Sequence, residues 1–335
     1  MENKIKVNFF QRRPRKGFSF SLEYIFADVR KRLRDRIDAE VYISRCYNDG
    51  YWTKIVNIAE TMFREEAEVN HITGELHFLN LLMPRKKVLL TVLDCGVMSR
   101  KRGLARVIVK WLYLTIPVRK ARFVTAISEV TKQEVIAYTK CPPEKIHVIP
   151  VAIDPGYLPS PGHFNQERPE ILHIGTGFNK NLLRLIEAVS ALTCTLTIVG
   201  KLNQEQLDAL GRFGVEYTNV YDVSTEQMNA LYIRCEVLAF VSTSEGFGMP
   251  IIEANAVERV VVTSNISAMP EVAADAACLV DPFSVASIRE GILRVINDEG
   301  YRNKLLENGR RNKLRFDGDA VADSYFHLYH KIARS

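Results

Sequence analysis

At 335 residues the chain exceeds one ordinary hydrophobic core and fits two domains of roughly 150 to 180 residues. Hydrophobic residues make up 47% and charged residues 25%, which is globular composition. No apolar run reaches the ~20 residues that cross a bilayer, so a helical membrane-spanning protein is excluded. The net charge of +6 conceals an asymmetry. Residues 1–150 carry 28 Lys and Arg against 16 Asp and Glu, a net of +12, and the rest carries 17 against 23, a net of −6. A first half of that sign favours an anionic surface or a polyanionic ligand.

In chain order, MENKIKVNFF lacks the apolar core and cleavage site of a signal peptide and reads as a first strand. Further strands are expected near 40–45, 69–73, 87–93, 122–127 and 145–150, with amphipathic segments between them, such as 21–37 and 129–139. "VAIDPGYLPSPGHFNQERPE" (151–170) has four prolines and two glycines and no period, so it reads as a linker. Strands then fall near 170–175, 194–200, 215–220, 236–242, 259–264 and 278–281. Helices fall near 180–192, 203–211, 224–234, 249–257, 284–298, 301–314 and 319–333. Strand–helix alternation at this spacing means parallel sheets covered by helices. The expected plan is α/β: two doubly wound, Rossmann-like domains, 1–151 and 170–318, joined by 152–169 and facing across a cleft. A final helix, 319–335, is expected to pack back on the first domain. Six cysteines at 46, 95, 141, 194, 235 and 278 show no CxxC spacing, which argues against zinc or a disulfide framework and for a reduced, cytoplasmic location.

The chemistry concentrates in "SEGFGMPIIE" (244–253), at the end of the apolar run 236–241. Gly246 and Gly248 let the backbone turn and approach a ligand closely, and Pro250 suits a first helical turn. Free N–H groups around Phe247, Gly248 and Met249 then form an anion site at a helix N-terminus. Glu253, one turn in, can accept from a vicinal diol such as a ribose, and Glu245 from another hydroxyl. A phosphate between two polyols is a nucleotide sugar. The bland alternative has both acids only complementing the helix dipole. Lys180, after Gly175-Thr176-Gly177 at a strand mouth, can neutralise a diphosphate; otherwise it is a solvated lysine at a helix start. Asn181 and Ser224 read as N-caps. "DGD" (317–319) reads as a turn and cap rather than a metal site, so no metal is expected.

"FVSTSEGFGMPIIEANA" resembles the acid–seven–acid signature of the family 4 retaining glycosyltransferases, which have the GT-B fold. "HIGTGFNKNLLRLIEAV" (173–189), "VTAISEVTKQEV", "KIHVIPVAID", "VSTEQMNALY" and "SNISAMPEVAADAACLVDP" are similar to that family's other segments, in the same order. The resemblance is strong over about 120–315 and weak before 65. It implies a hexosyltransferase that moves a sugar from a nucleotide diphosphate to a saccharide or lipid-linked acceptor in polysaccharide biosynthesis; since no feature of the sequence demands guanine, UDP-glucose is favoured over GDP-mannose. The implied machinery is Lys180, Glu245 and Asp94 for catalysis, with donor binding by Gly17, Thr176, Asn179, Tyr221, Val223, Gly246, Phe247, Gly248, Met249 and Glu253. No cofactor is implied. The family's arginine before the lysine is missing, with Thr176 and Asn179 in that stretch, and its histidine before the aspartate is Leu93. Its Gly-x-Pro after the signature helix is Glu258-Arg259-Val260, and Glu271 matches a structural acid. The missing arginine and histidine keep one rival open, a nucleotide-sugar-binding protein that has lost catalysis; a nucleotide-sugar epimerase, which could share the architecture, is a second.

In the first half, His71 reads as a satisfied strand-end histidine, with Thr73, Gly74 and Glu75 on the acceptor side. Segment 100–122 holds eight Lys and Arg among Trp111, Tyr113, Val107, Ile108 and Leu112. It suits either the anionic inner face of a plasma membrane or a plain helix with a solvated basic face. Nucleic acid is not expected, because no recognition motif accompanies the charge.

Overall fold

The computed structural model describes residues 4–14, 21–47, 50–98 and 103–335. The chain divides into two compact units, one of residues 1–152 with 318–335 and one of 153–317. In chain order the elements are β1 (Ile5–Gln11), α1 (Ser21–Arg32), β2 (Ile37–Ile43), α2 (Tyr51–Glu60), β3 (Val69–Thr73), β4 (Val88–Val92), α3 (Gly103–Val109), a π-helical segment (Lys110–Thr115), α4 (Ile116–Lys120), β5 (Phe123–Ala126), α5 (Glu129–Thr139) and β6 (Ile146–Val148). The second unit holds β7 (Glu170–Ile174), α6 (Leu182–Val189), β8 (Thr195–Val199), α7 (Gln204–Phe213), β9 (Tyr217–Val220), α8 (Thr225–Arg234), β10 (Val237–Phe240), α9 (Met249–Ala256), β11 (Val260–Ser264), α10 (Met269–Ala273), β12 (Cys278–Val280), α11 (Val285–Asn297) and α12 (Glu299–Asn312). α13 (Gly318–Ala333) belongs to the first unit.

Each unit carries a six-stranded sheet in which every pair is parallel. The first runs β2-β1-β3-β4-β5-β6 and the second β12-β11-β10-β7-β8-β9. The expected pair of doubly wound sheets is what forms. Helices cover the faces, so central strands are apolar on both sides: all of β4 and all of β10 are buried. In the first unit, Phe10, Ile72, Leu90 and Val92 belong to one core cluster, against which Ile58 of α2 and Tyr113 of the π segment pack. The alternate residues Phe9 and His71 face the other way, onto Phe26 of α1 and Tyr325 and Tyr329 of α13.

His71 is therefore a core residue. It lies within β3, fully buried, with Nδ1 bonded to the Tyr329 hydroxyl and Nε2 to Thr91 Oγ1, both at 2.8 Å. Burial, helped by the charge of Arg30, lowers its pKa to about 3, so it stays neutral. Thr73 donates to the Phe10 carbonyl, and Glu75 pairs with Arg12 at 3.1 Å.

The long amphipathic reading of 21–37 ends early in the structure. α1 stops at Arg32, and Ile37 already pairs with Ile5 as the first residue of β2. The helix-favouring run of basic residues hides a strand start that only pairing with β1 determines. Ser224 caps α8 as expected, accepting from Gln227 N at 3.3 Å. Asn181 does not cap α6. Its backbone is left-handed (φ 63°), and its buried amide donates instead to the carbonyls of Val241 and Pro282, at 3.0 and 2.7 Å. It ties the loop after β7 to the ends of β10 and β12.

Candidate functional site

In the second unit the chain moves outward from β7 through β8 to β9, then returns to β10 on the other side of β7. The loops leaving β7 and β10 are neighbours at this reversal, on the carboxyl edge that is the usual ligand position in an open parallel sheet. Lys180 and Asn179 come from the first loop, and Glu245 from the second. Lys180 Nζ reaches Glu245 Oε1 at 2.7 Å, and Asn179 Nδ2 reaches the same oxygen at 3.1 Å and the Ser244 carbonyl at 3.0 Å. The backbone of Thr243 donates to the Asn179 carbonyl at 2.8 Å, which joins the two loops.

Lys180 is steered from both sides. Gly175 has φ +92°, and a Cβ there would sit 2.9 Å from the lysine's Cγ and Cε. Phe240, the last residue of β10, presents its ring 4.8 Å from Nζ. The ammonium is thus held at the carboxyl edge of the sheet, with about a quarter of its side chain exposed (23%). Ser267 fixes the backbone of its partner: its hydroxyl accepts from Glu245 N at 3.1 Å and donates to Glu245 O at 2.8 Å.

Beyond Glu245 the chain turns at Gly248 (φ +117°) into α9, with Pro250 in its first turn. The ring of Phe247 turns inward, buried edge-on against Phe316 at 5.6 Å, so only its backbone is available to a ligand. The N–H groups of Phe247, Gly248 and Met249 have no intrahelical acceptor at this end of α9. Inside the helix, Glu253 Oε2 accepts from the hydroxyl of fully buried Tyr232 at 2.5 Å. Tyr232 packs edge-on against Tyr157 at 5.5 Å. Burial pushes the Glu253 carboxyl up to about 7, with the nearby charge of Asp154 adding to the rise and the Tyr232 bond opposing it.

The other expected residues are placed less directly. Thr176 turns its hydroxyl to the Lys201 carbonyl at 2.8 Å, and its own carbonyl accepts from Gln206 at 2.8 Å. It shapes the loop instead of presenting a free donor. Tyr221, largely exposed, and Val223 follow β9, on either side of Asp222 with φ 54°. Asp94 lies in the first unit, exposed just beyond β4, with Oδ1 accepting from Gly96 N at 2.7 Å. Gly17 lies outside the described residues. Tyr232 and Ser267 were not singled out from the sequence, although both lie in quoted segments. A tyrosine on the buried side of an amphipathic helix needs an acceptor for its hydroxyl, and that was the available signal.

Residues 159–312 match the family model for glycosyl transferases group 1, and residues 10–157 match that for glycosyltransferase family 4. The chain belongs to this family. It is similar to the MMP alpha-(1->4)-mannosyltransferase of Mycolicibacterium hassiacum, 28% identical over 223 residues, which is 62% of this chain and 54% of that protein. It is 31% identical over 107 residues to the O-antigen chain mannosyltransferase B of Escherichia coli, covering 32% of this chain and 28% of that one. The chain thus spans about half, or less, of the curated relatives it matches. Among solved structures, sucrose-phosphate synthase from Thermosynechococcus elongatus superposes over 99% of this chain with TM-score 0.81 and 14% identity. Anabaena HepE in complex with UDP and glucose superposes over 98% with TM-score 0.79 and 16% identity. At such identities the likeness establishes the fold alone.

Proposed function

We propose that the protein is a retaining hexosyltransferase that takes its sugar from a nucleotide diphosphate donor. The observation that carries this reading is the Lys180–Glu245 pair, set at the strand reversal beside the open amides of α9, with the Glu253 carboxyl one turn inside the helix. Diphosphate binding at those amides draws on Lys180 for charge, and Glu253 accepts from the ribose hydroxyls. Glu245, released from the lysine, accepts from a hydroxyl of the transferred sugar. In the reaction the anomeric C–O bond to the diphosphate breaks, and the negative charge gathers on the leaving oxygen within reach of Lys180. The acceptor oxygen bonds to the same face of the sugar, and its proton passes to the departing phosphate. This route requires no enzyme nucleophile, and Lys180 supplies positive charge to the leaving group. Glu245 and Glu253 are not the acid and nucleophile of a hydrolase pair.

UDP-glucose is the donor favoured from the sequence. The curated relatives named above are mannosyltransferases, which supports a second reading with a GDP-mannose donor. The acceptor is a saccharide or lipid-linked saccharide of polysaccharide synthesis, met on the cytoplasmic side. Thermal shift with each donor, followed by assay of nucleoside diphosphate release with and without oligosaccharide acceptors, tests the proposal. The expected result is stabilisation by one donor and acceptor-dependent release of its nucleoside diphosphate. Binding without release would identify a protein that has lost catalysis, and conversion of the donor sugar without acceptor would identify an epimerase.

A further inference from the structure

The chain has two tryptophans, and both are exposed on the first unit: Trp52 at 80% and Trp111 at 46%. Neither is isolated. On α2, Ile55 and Val56 are exposed with Trp52, one helical turn along, and Met62 and Phe63 follow in the next turn, Phe63 at 86%. In α3 and the π segment, Val107, Ile108, Trp111 and Leu112 are exposed together. The buried side of α2 includes a polar residue: Asn57 bonds both the N–H and the carbonyl of Cys46. α2 thus turns an apolar stripe outward, the reverse of an ordinary surface helix.

The two exposed stripes lie on one side of the first sheet. Ile58 of α2 and Val109 and Tyr113 of the second segment pack against the same core cluster, and Lys54 of α2 lies 5.2 Å from the Tyr113 ring. Basic side chains accompany them: exposed Arg106, half-buried Lys110, and exposed Arg119, whose guanidinium lies 5.6 Å from the Trp111 ring. No Asp or Glu occurs from 103 to 120. The acid of α2, Glu60, lies 3.9 Å from Arg64. Among the described residues no helix is long and apolar enough to cross a membrane.

We infer that this face of the first unit docks on the surface of an anionic lipid bilayer, with α2 and the 103–120 segment lying in the interface. Tryptophan rings favour the headgroup boundary, aliphatic side chains enter the acyl edge, and basic residues pair with lipid phosphates. The inference sharpens the expectation for residues 100–122 by adding α2 and its tryptophan. It shares with the proposed function only the lipid-linked acceptor, and it does not depend on donor chemistry.

Both tryptophans report on the surface, so their emission is a direct readout. The full chain is mixed with vesicles of phosphatidylcholine alone or of phosphatidylcholine with phosphatidylglycerol. The expected result is co-sedimentation with the anionic vesicles, a blue shift of tryptophan emission, and loss of both as salt is raised. A double variant, Arg106→Gln with Lys110→Gln, should partition about thirtyfold more weakly, at about fivefold for each basic side chain. Trp52→Ser should weaken partitioning and reduce the shift, although Trp52 lies outside the basic segment. Unchanged emission with anionic vesicles would overturn the inference. So would equal binding to neutral vesicles, or a lipid-independent dimer that shields the tryptophans. Thermal stabilisation by donor is measured on each variant. Its absence from the unsubstituted protein would count against the proposed function and leave the docking result standing.

Discussion

Lys180 is one side chain held by three different devices: a glycine at φ +92° beneath its stem, an aromatic face beside it and a carboxylate at its tip. Replacing it with alanine should lower turnover about a hundredfold or more, the scale of losing one preorganised charge-stabilising group, while thermal unfolding stays near normal. Glu253 makes a pH prediction with two opposite signs. Its folded-state pKa, about 7, lies above the ordinary carboxyl value, so the folded chain binds a proton there more readily than the unfolded chain. Its contribution to stability therefore rises as pH falls from neutrality and diminishes as pH climbs through about 7. Donor affinity should run the other way, because the ionised carboxylate is the better acceptor for ribose hydroxyls. Calorimetric titration across this range should show weakening below neutrality in the native chain and a flat, weak profile in Glu253→Gln. Glu258 holds φ +61°, a left-handed backbone that favours glycine, and Arg310 reaches its carboxylate at 2.9 Å. Glu258→Gly should then be more stable than Glu258→Ala by about 1 kcal/mol in denaturant unfolding, the reverse of the usual helix preference, because alanine keeps the strained Cβ.

At the scale of elements, strands were the most legible part of the sequence, and for a physical reason. A parallel strand covered on both faces must be apolar at nearly every position, so runs such as Val88–Val92 and Val260–Ser264 stand out. α2 was not read, because its exposed stripe is apolar and its buried side includes Asn57, which erases the expected pattern. Helix-on-sheet packing was also hidden. Gly291 of α11 sits so close to β12 that a Cβ would lie 2.3 Å from Val280 Cγ1. Gly291→Ala should destabilise the chain by about 1–3 kcal/mol through overpacking, seen as a lower denaturant midpoint at unchanged slope.

At the scale of the molecule, the chain leaves its first unit at residue 152 and returns to it at 318. α13 buries Val321, Tyr325, Leu328, Tyr329 and Ile332 there, and Tyr329 supplies one of the two partners of His71. A chain ending at 317 should therefore show a low-temperature calorimetric transition from a weakened first unit. The contiguous segment 153–317 carries its own sheet and both site loops, so it should unfold cooperatively by itself. Adding the nucleoside diphosphate of the donor, UDP or GDP, should raise one transition only, in both the truncated and full chains. If neither nucleotide moved either transition, the donor site would not lie in this unit.

What the sequence determined by itself was local: two sets of alternating strands and helices, the glycine turns at 246 and 248, and the acids at 245 and 253. Those follow from periodicity and backbone freedom, which act over a few residues. Tertiary structure decided which groups meet. Lys180 and Glu245 are 65 residues apart in sequence and 2.7 Å apart in space. They meet because the sheet reverses its strand order between β7 and β10. The same reversal spends Asn181 on clamping strand ends instead of capping a helix. Tyr232 became the partner of Glu253 because a buried hydroxyl takes an acceptor that the packing of α8 beside α9 provides. Spacing along the chain carries no record of either neighbour.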